Sequence, residues 1–218
     1  MLTNVNNLTT GGLDIGLPGY QNSHLLNLER AVSPSDTTNM FIRSAIWDLP
    51  FGRGQQFFNN AHGFVQQVIG GWQLSSIYTA HSGYPLAFSN AGAPAFAGSR
   101  PNFTGLSPVT HSGIHSRVAH GYLNATGFAY PLALQLGNVP RLTSNIRTPA
   151  YYDLDLSASK DIRLYRETML QFRIDSFNAF NQVIFSGPSA SSGAQGFGTI
   201  TSQSNNPRQF QLSGKFIF

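Results

Sequence analysis

Apolar and polar residues alternate with a period of two in several stretches of this chain, the spacing of a strand whose two faces meet different surroundings. The clearest run is 152–160 (YDLDLSASK), where Tyr152, Leu154, Leu156 and Ala158 fall on one side and Asp153, Asp155, Ser157 and Ser159 on the other. Between 166 and about 180, Leu170, Phe172, Ile174 and Ser176 oppose Gln171, Arg173, Asp175 and Phe177. At the end of the chain Phe210, Leu212, Gly214, Phe216 and Phe218 oppose Gln209, Gln211, Ser213, Lys215 and Ile217. In 72–84, Trp72, Leu74, Ser76, Tyr78 and Ala80 oppose Gln73, Ser75, Ile77, Thr79 and His81, with Ile77 the one break in the polar side. A fifth strand is predicted over 40–49, stopped by Pro50 and Gly52, but its facing is open. Met40, Ile42 and Ile46 compete with Phe41, Ala45 and Trp47; a polar interior for Arg43 favours the first set as the apolar face, and an aromatic belt favours the second.

The segments between these strands are unequal. Residues 1–38 are rich in Asn, Gly, Thr and Ser and read as an N-terminal loop. Residues 51–71 form a connector with a short amphipathic helix near Gly63 to Ile69, assigned to local packing. A tight turn is placed at 161–164, and a second Gly/Ser-rich loop at 181–207. The stretch 85–150 is far longer than the roughly 12–15 residues usual for a loop without structure of its own. Long loops at one end and tight turns at the other are the anatomy of a transmembrane β-barrel. Strands of roughly 9 to 14 residues also exceed the 5 to 6 typical of soluble sheets and suit a tilted membrane-spanning strand.

Composition sharpens this choice. Only 22 of 218 residues are charged, 10%, against about 25% in a soluble domain. The deficit is filled by 67 Asn, Gln, Ser and Thr. Asp153, Asp155, Arg173, Asp175 and Lys215 all fall on the polar parity of their strands, as a wall needs if one side faces hydrocarbon. No run of 18 apolar residues exists, so no helix would span a bilayer. The net charge of +4 comes from scattered Arg and two Lys, which excludes a phosphate-binding groove and nucleic acid as a partner. Without Cys there is no disulfide framework, thiol nucleophile or Cys-ligated metal. The competing fold is a secreted β-sandwich, for example a glycan-binding module with Tyr122, Phe128 and Tyr130 as stacking platforms, because one wet face per sheet gives the same alternation.

Candidate chemistry is sparse. His111, His115 and His120 invite a metal site, but Gly113 interrupts the helix face and no carboxylate is near in sequence. No nucleophile elbow is present, and the Gly-rich GAQGFG at 193–198 lacks the strand, helix and Lys of a phosphate loop. Neither an enzyme nor a cofactor is expected. Asp153, Asp155, Arg173, Asp175 and Lys215 are the candidate lumenal polar ladder, serving mutual pairing or contact with a plug or substrate. Trp47, Trp72, Tyr78, Tyr84, Tyr151 and Tyr152 are the candidate aromatic girdles.

The final strand, with Phe210, Leu212, Phe216 and a terminal Phe218, resembles the C-terminal signal of bacterial outer-membrane barrels that the barrel-assembly machinery recognises. More widely, WDLPFGRG at 47–54, GWQL at 71–74, SGYP at 82–85, RPN at 100–102, FRIDSFNAFN at 172–181, FGTI at 197–200 and PRQ at 207–209 resemble the C-terminal part of Oar-like TonB-dependent receptors over about residues 36–218. The resemblance implies an outer-membrane transporter of a Gram-negative bacterium, with a barrel of about 22 strands closed by a plug that the TonB system displaces. Its implied partners are outer-membrane lipid, the assembly machinery and the remainder of the receptor. The chain departs from the complete pattern, with no signal peptide, TonB box or plug recognisable and too few strands, as in a fragment or a truncated gene product. The expected fold is therefore all-β and antiparallel: residues 39–218 as a partial, open barrel of about five strands, with Phe218 on the periplasmic side and the long loops outside.

Overall fold

The computed structural model describes residues 2–3, 21–22, 24, 29–92, 99–110, 112–165 and 168–218. The chain divides into two compact units, each made of separated segments: Asn39–His81 with Tyr151–Ile184 and Asn205–Phe218, and Met1–Thr38 with Ser82–Ala150 and Phe185–Ser204.

The first unit is one antiparallel sheet. Its strands are β1 (Met40–Asp48), β2 (Trp72–His81), β3 (Tyr151–Tyr165), β4 (Thr168–Phe177) and β5 (Gln209–Ile217), each paired with its neighbours in chain order. Cross-strand partners share a face in an antiparallel pair, so the register shows which rows the alternation builds. Leu156 lies opposite Ser76 and Ser176, Ala158 opposite Leu74 and Ile174, and Ile174 opposite Leu212. The apolar parities of β2 to β5 thus merge into one face. On β1, Phe41 pairs with Ala80, Ala45 with Ser76 and Trp47 with Leu74, which places Phe41, Ala45 and Trp47 on that apolar face. Met40, Ile42 and Ile46 join the polar one, and the aromatic-belt argument prevails over the argument from Arg43.

Two boundaries move. The turn expected at 161–164 is strand: β3 runs on to Tyr165, with Asp161 opposite Gln171 and Ile162 opposite Leu170. The alternation continues through Ile162 and Leu164, and only Lys160, a charge on the apolar parity, makes it look finished. Residues 166 and 167 lie outside the described residues. At the other end β4 stops at Phe177, because Asn178 takes a left-handed φ of 49° and leaves the sheet. Its side chain then clips the next segment, accepting from Gln182 N at 2.7 Å and donating to Gln182 O at 2.9 Å and Asn206 O at 3.1 Å.

The second unit contains most of what the sequence presents as loop, and it has a core. Phe88, Tyr122, Leu123, Phe128, Val139, Ile146 and Ile200 are buried together, with Phe88 and Phe128 ring centroids 4.7 Å apart and Phe197 edge-on to Phe128 at 5.2 Å. Two-residue ladders brace it: Pro85–Leu86 with Thr143–Arg147, Asn102–Phe103 with Phe128–Ala129, and Ser89–Asn90 in parallel with Ser191–Ser192. Tyr122 and Phe128 are core residues, not exposed stacking platforms. Among the described residues before 39, two acids reach this unit's arginines. Glu29 pairs with Arg100 at 2.8 Å, both side chains 2% exposed, and Asp36 pairs with Arg147 at 2.5 Å. A buried Arg demands a counter-charge, and the N-terminal segment supplies it. Glu29→Ala should therefore destabilise this unit by about 3–5 kcal/mol, read from the urea dependence of protease cleavage within residues 85–150. Replacing both partners by Leu and Met should recover most of that loss.

Candidate functional site

The site is the sheet's polar face. Along β4, Arg173 donates through Nε to Asp175 Oδ1 at 2.8 Å, the two lying two residues apart on one face. Ser159 sits opposite Arg173, and Ser157 and Gln211 opposite Asp175. Asp155 accepts from the backbone N–H of Asn178 at 3.0 Å, which fixes the corner where β4 ends. Asp153 faces Thr79 across the ladder and lies 3.5 Å from the Tyr151 hydroxyl, while Lys215 lies exposed opposite Gln171. All five predicted ladder residues share this face, but they are not one chain of ion pairs. Among the described residues Arg173–Asp175 is the single salt bridge on it.

At the end of the sheet that carries the β3–β4 hairpin, the polar face opens into a cavity of about 320 Å³. Asp48, Gln73, Ser159, Asp161 and Gln171 line it from the strands, joined by Arg53 and Gln66 from the β1–β2 connector. Gln73 donates to Asp48 at 2.7 Å and Gln171 to Asp161 at 2.8 Å, so both acids keep partners at the cavity wall. At the opposite end His81 and Tyr151 stack with centroids 4.9 Å apart and an interplanar angle of 8°. Tyr151 is therefore on the polar face and not in a lipid-side girdle, since it holds the odd parity of β3. Tyr84 lies beyond the end of β2 and outside the wall.

The other predicted aromatics lie on the apolar face. Trp47 and Trp72 sit at the hairpin end, and Tyr152, with Phe41 and Phe210, at the opposite end. Tyr78 lies deeper, its ring 6.2 Å from Phe41. Phe210, Leu212 and Phe216 project from the same face, and Leu212 is 75% exposed. Phe218 follows β5 directly, its ring 6.2 Å from Phe216. Arg43 and Lys160 are the cations on this face, Arg43 lying opposite Tyr78 and three residues from the strand end. Its long stem lets the guanidinium reach toward that end.

Lys160 is the residue whose role the sequence pattern hides. It lies on the apolar parity but is buried, donates to the Gly70 carbonyl, and holds its ammonium 5.1 Å from the Trp72 ring. The available signal was a cation out of phase beside a tryptophan on the next strand. Of the histidines considered for a metal, His111 lies outside the described residues. His115 meets the Phe185 ring edge-on, and His120 Nδ1 lies 3.1 Å from Ser116 O.

One sheet with a polar face, an apolar face left bare and aromatic residues near both ends of the apolar side is the wall of a membrane β-barrel. A secreted sandwich would set a second sheet about 10 Å away over that apolar face, and the described residues of this unit form a single sheet. The chain belongs to the outer membrane beta barrel domain family, whose model matches residues 2–211, and so to the bacterial outer membrane. No curated protein matches it significantly. No solved structure does either. Because the apolar face meets hydrocarbon, Leu156→Arg should cost about 2–4 kcal/mol near mid-membrane. The neighbouring Ser157→Arg, beside Asp175 on the wet face, should cost far less; urea unfolding in bilayers compares them.

Proposed function

We propose that the chain is the C-terminal barrel segment of an Oar-like TonB-dependent receptor, supplying wall and outward segments and no enzymatic activity. The observation that carries this reading is the open five-strand meander: its apolar face is bare, and no strand flanks the outer edges of β1 and β5 among the described residues. Two unpaired edges are a liability unless further strands join them. Five strands enclose no lumen, so transport belongs to the complete receptor, with the remaining strands, the plug and the TonB system as partners. In that receptor the hairpin end and Phe218 face the periplasm. Residues 85–150 belong to the extracellular loops of that receptor, and the Arg173–Asp175 row lines the lumen against plug or substrate.

The family motifs quoted above support the assignment, as does the strand count from the C-terminus, which puts both long insertions at the same end. Expressed alone, the chain should be recovered from outer membranes only with detergent; a stable water-soluble monomer would overturn the assignment. In the complete receptor, Arg173→Ala should lower uptake while leaving the folded yield unchanged. An equal fall in both would make that pair purely structural.

A further inference from the structure

The β1–β2 connector contains α1 (Gly63–Ile69), and this helix is inverted. On a helical wheel Phe64, Val65, Val68 and Ile69 occupy one arc, and Gln66 and Gln67 the other. In water such a helix would bury the apolar arc. Here Phe64 is 79% exposed, Val65 and Val68 are also exposed, only Ile69 at the C-terminal turn is half-buried, and on the opposite arc Gln66 is half-buried too. Gln66 accepts from Arg53 N at 2.6 Å and packs against the Gly52 and Gly70 backbone. In the same connector Phe57 and Phe58 are exposed as well, both beside the Phe51 ring, and Phe58 is held in the left-handed region at φ 59°. From 54 to 71 no residue carries Asp, Glu, Lys or Arg.

The same inversion characterises the sheet's apolar face, and two side chains of that face tie the helix to it. Trp72 donates through Nε1 to Val68 O at 2.9 Å, and Lys160 donates to Gly70 O. Both grip the C-terminal turn, so α1 continues the lipid-facing surface at the hairpin end. We propose that α1 with Phe57 and Phe58 is an interfacial anchor that lies in the phospholipid headgroup region beside the barrel. An amphipathic helix buries its apolar arc at the boundary between headgroups and acyl chains. Trp72 and Lys160 join the anchor to the wall, each a residue type that pairs an apolar body with a polar tip at that depth. The leaflet is the inner one if the hairpin end is periplasmic, and to that extent the inference rests on the proposed orientation.

The chain has no Cys, so single nitroxide labels report depth directly. The full chain carrying Phe64→Cys, Gln55→Cys or Leu212→Cys is reconstituted in vesicles of phosphatidylethanolamine and phosphatidylglycerol, and each label is exposed to oxygen and to a water-soluble nickel chelate. The label at 64 should be several-fold less accessible to nickel than the one at 55, at a depth of about 5–10 Å, with the one at 212 deeper. A lipid-buried label at 212 with one at 64 as open to nickel as 55 would overturn the anchor alone. Nickel access at all three positions would overturn the membrane-wall reading and the anchor with it. Val68→Cys, if Phe64→Cys misassembles, must show the same protection.

Discussion

Backbone hydrogen bonding in a solvent without water is the constraint on which this sheet depends. Hydrocarbon offers no partner for an N–H or C=O, so every strand must find one in its neighbour. That requirement makes the strands long and antiparallel, and pairing them in chain order lets side chains divide by parity alone. The polar row then keeps Asp153, Asp155, Arg173, Asp175 and Lys215 on one side, while Leu156, Ile174 and Leu212 share the other. Once the backbone is paired, the two faces are free to suit two solvents.

The second unit answers the same need in a different way. Its backbone pairs in two-residue ladders and turns, and its apolar residues gather inward around Phe88 and Phe128 as in a water-soluble domain. The Arg100–Glu29 pair is buried in a unit otherwise short of charge, and it joins residues 71 positions apart. A single chain thus carries an outward apolar surface in one unit and an inward one in the other, each matched to the surroundings that its residues meet.

The hairpin end of the wall is where these solvents grade into each other. Polar side chains line a cavity on one face, Trp47 and Trp72 sit on the other, and Lys160 spans the boundary by donating an ammonium N–H to a backbone carbonyl. A cation on the apolar parity would be costly at mid-membrane. Near the strand end, with a carbonyl and an aromatic ring as neighbours, it becomes a fastening for the connector.

Strand parity was legible because period-two alternation survives any tertiary context that gives a sheet two different sides. The five wall strands, their order, the polar row and the helix at Gly63–Ile69 all follow from local pattern. What pattern could not decide was the facing of β1, where Met40, Ile42 and Ile46 match Phe41, Ala45 and Trp47 in hydrophobicity and only the pairing with β2 chooses. Nor could it end β3, because Lys160 interrupts a rhythm that long-range contacts with Gly70 and Trp72 sustain. The core around Phe88 had no periodicity to reveal it: its members come from Leu86 to Ile200 at irregular spacing, and only folding brings them together. Local sequence determines which face of an extended strand is apolar, since adjacent side chains must point opposite ways; tertiary structure alone decides what those faces meet.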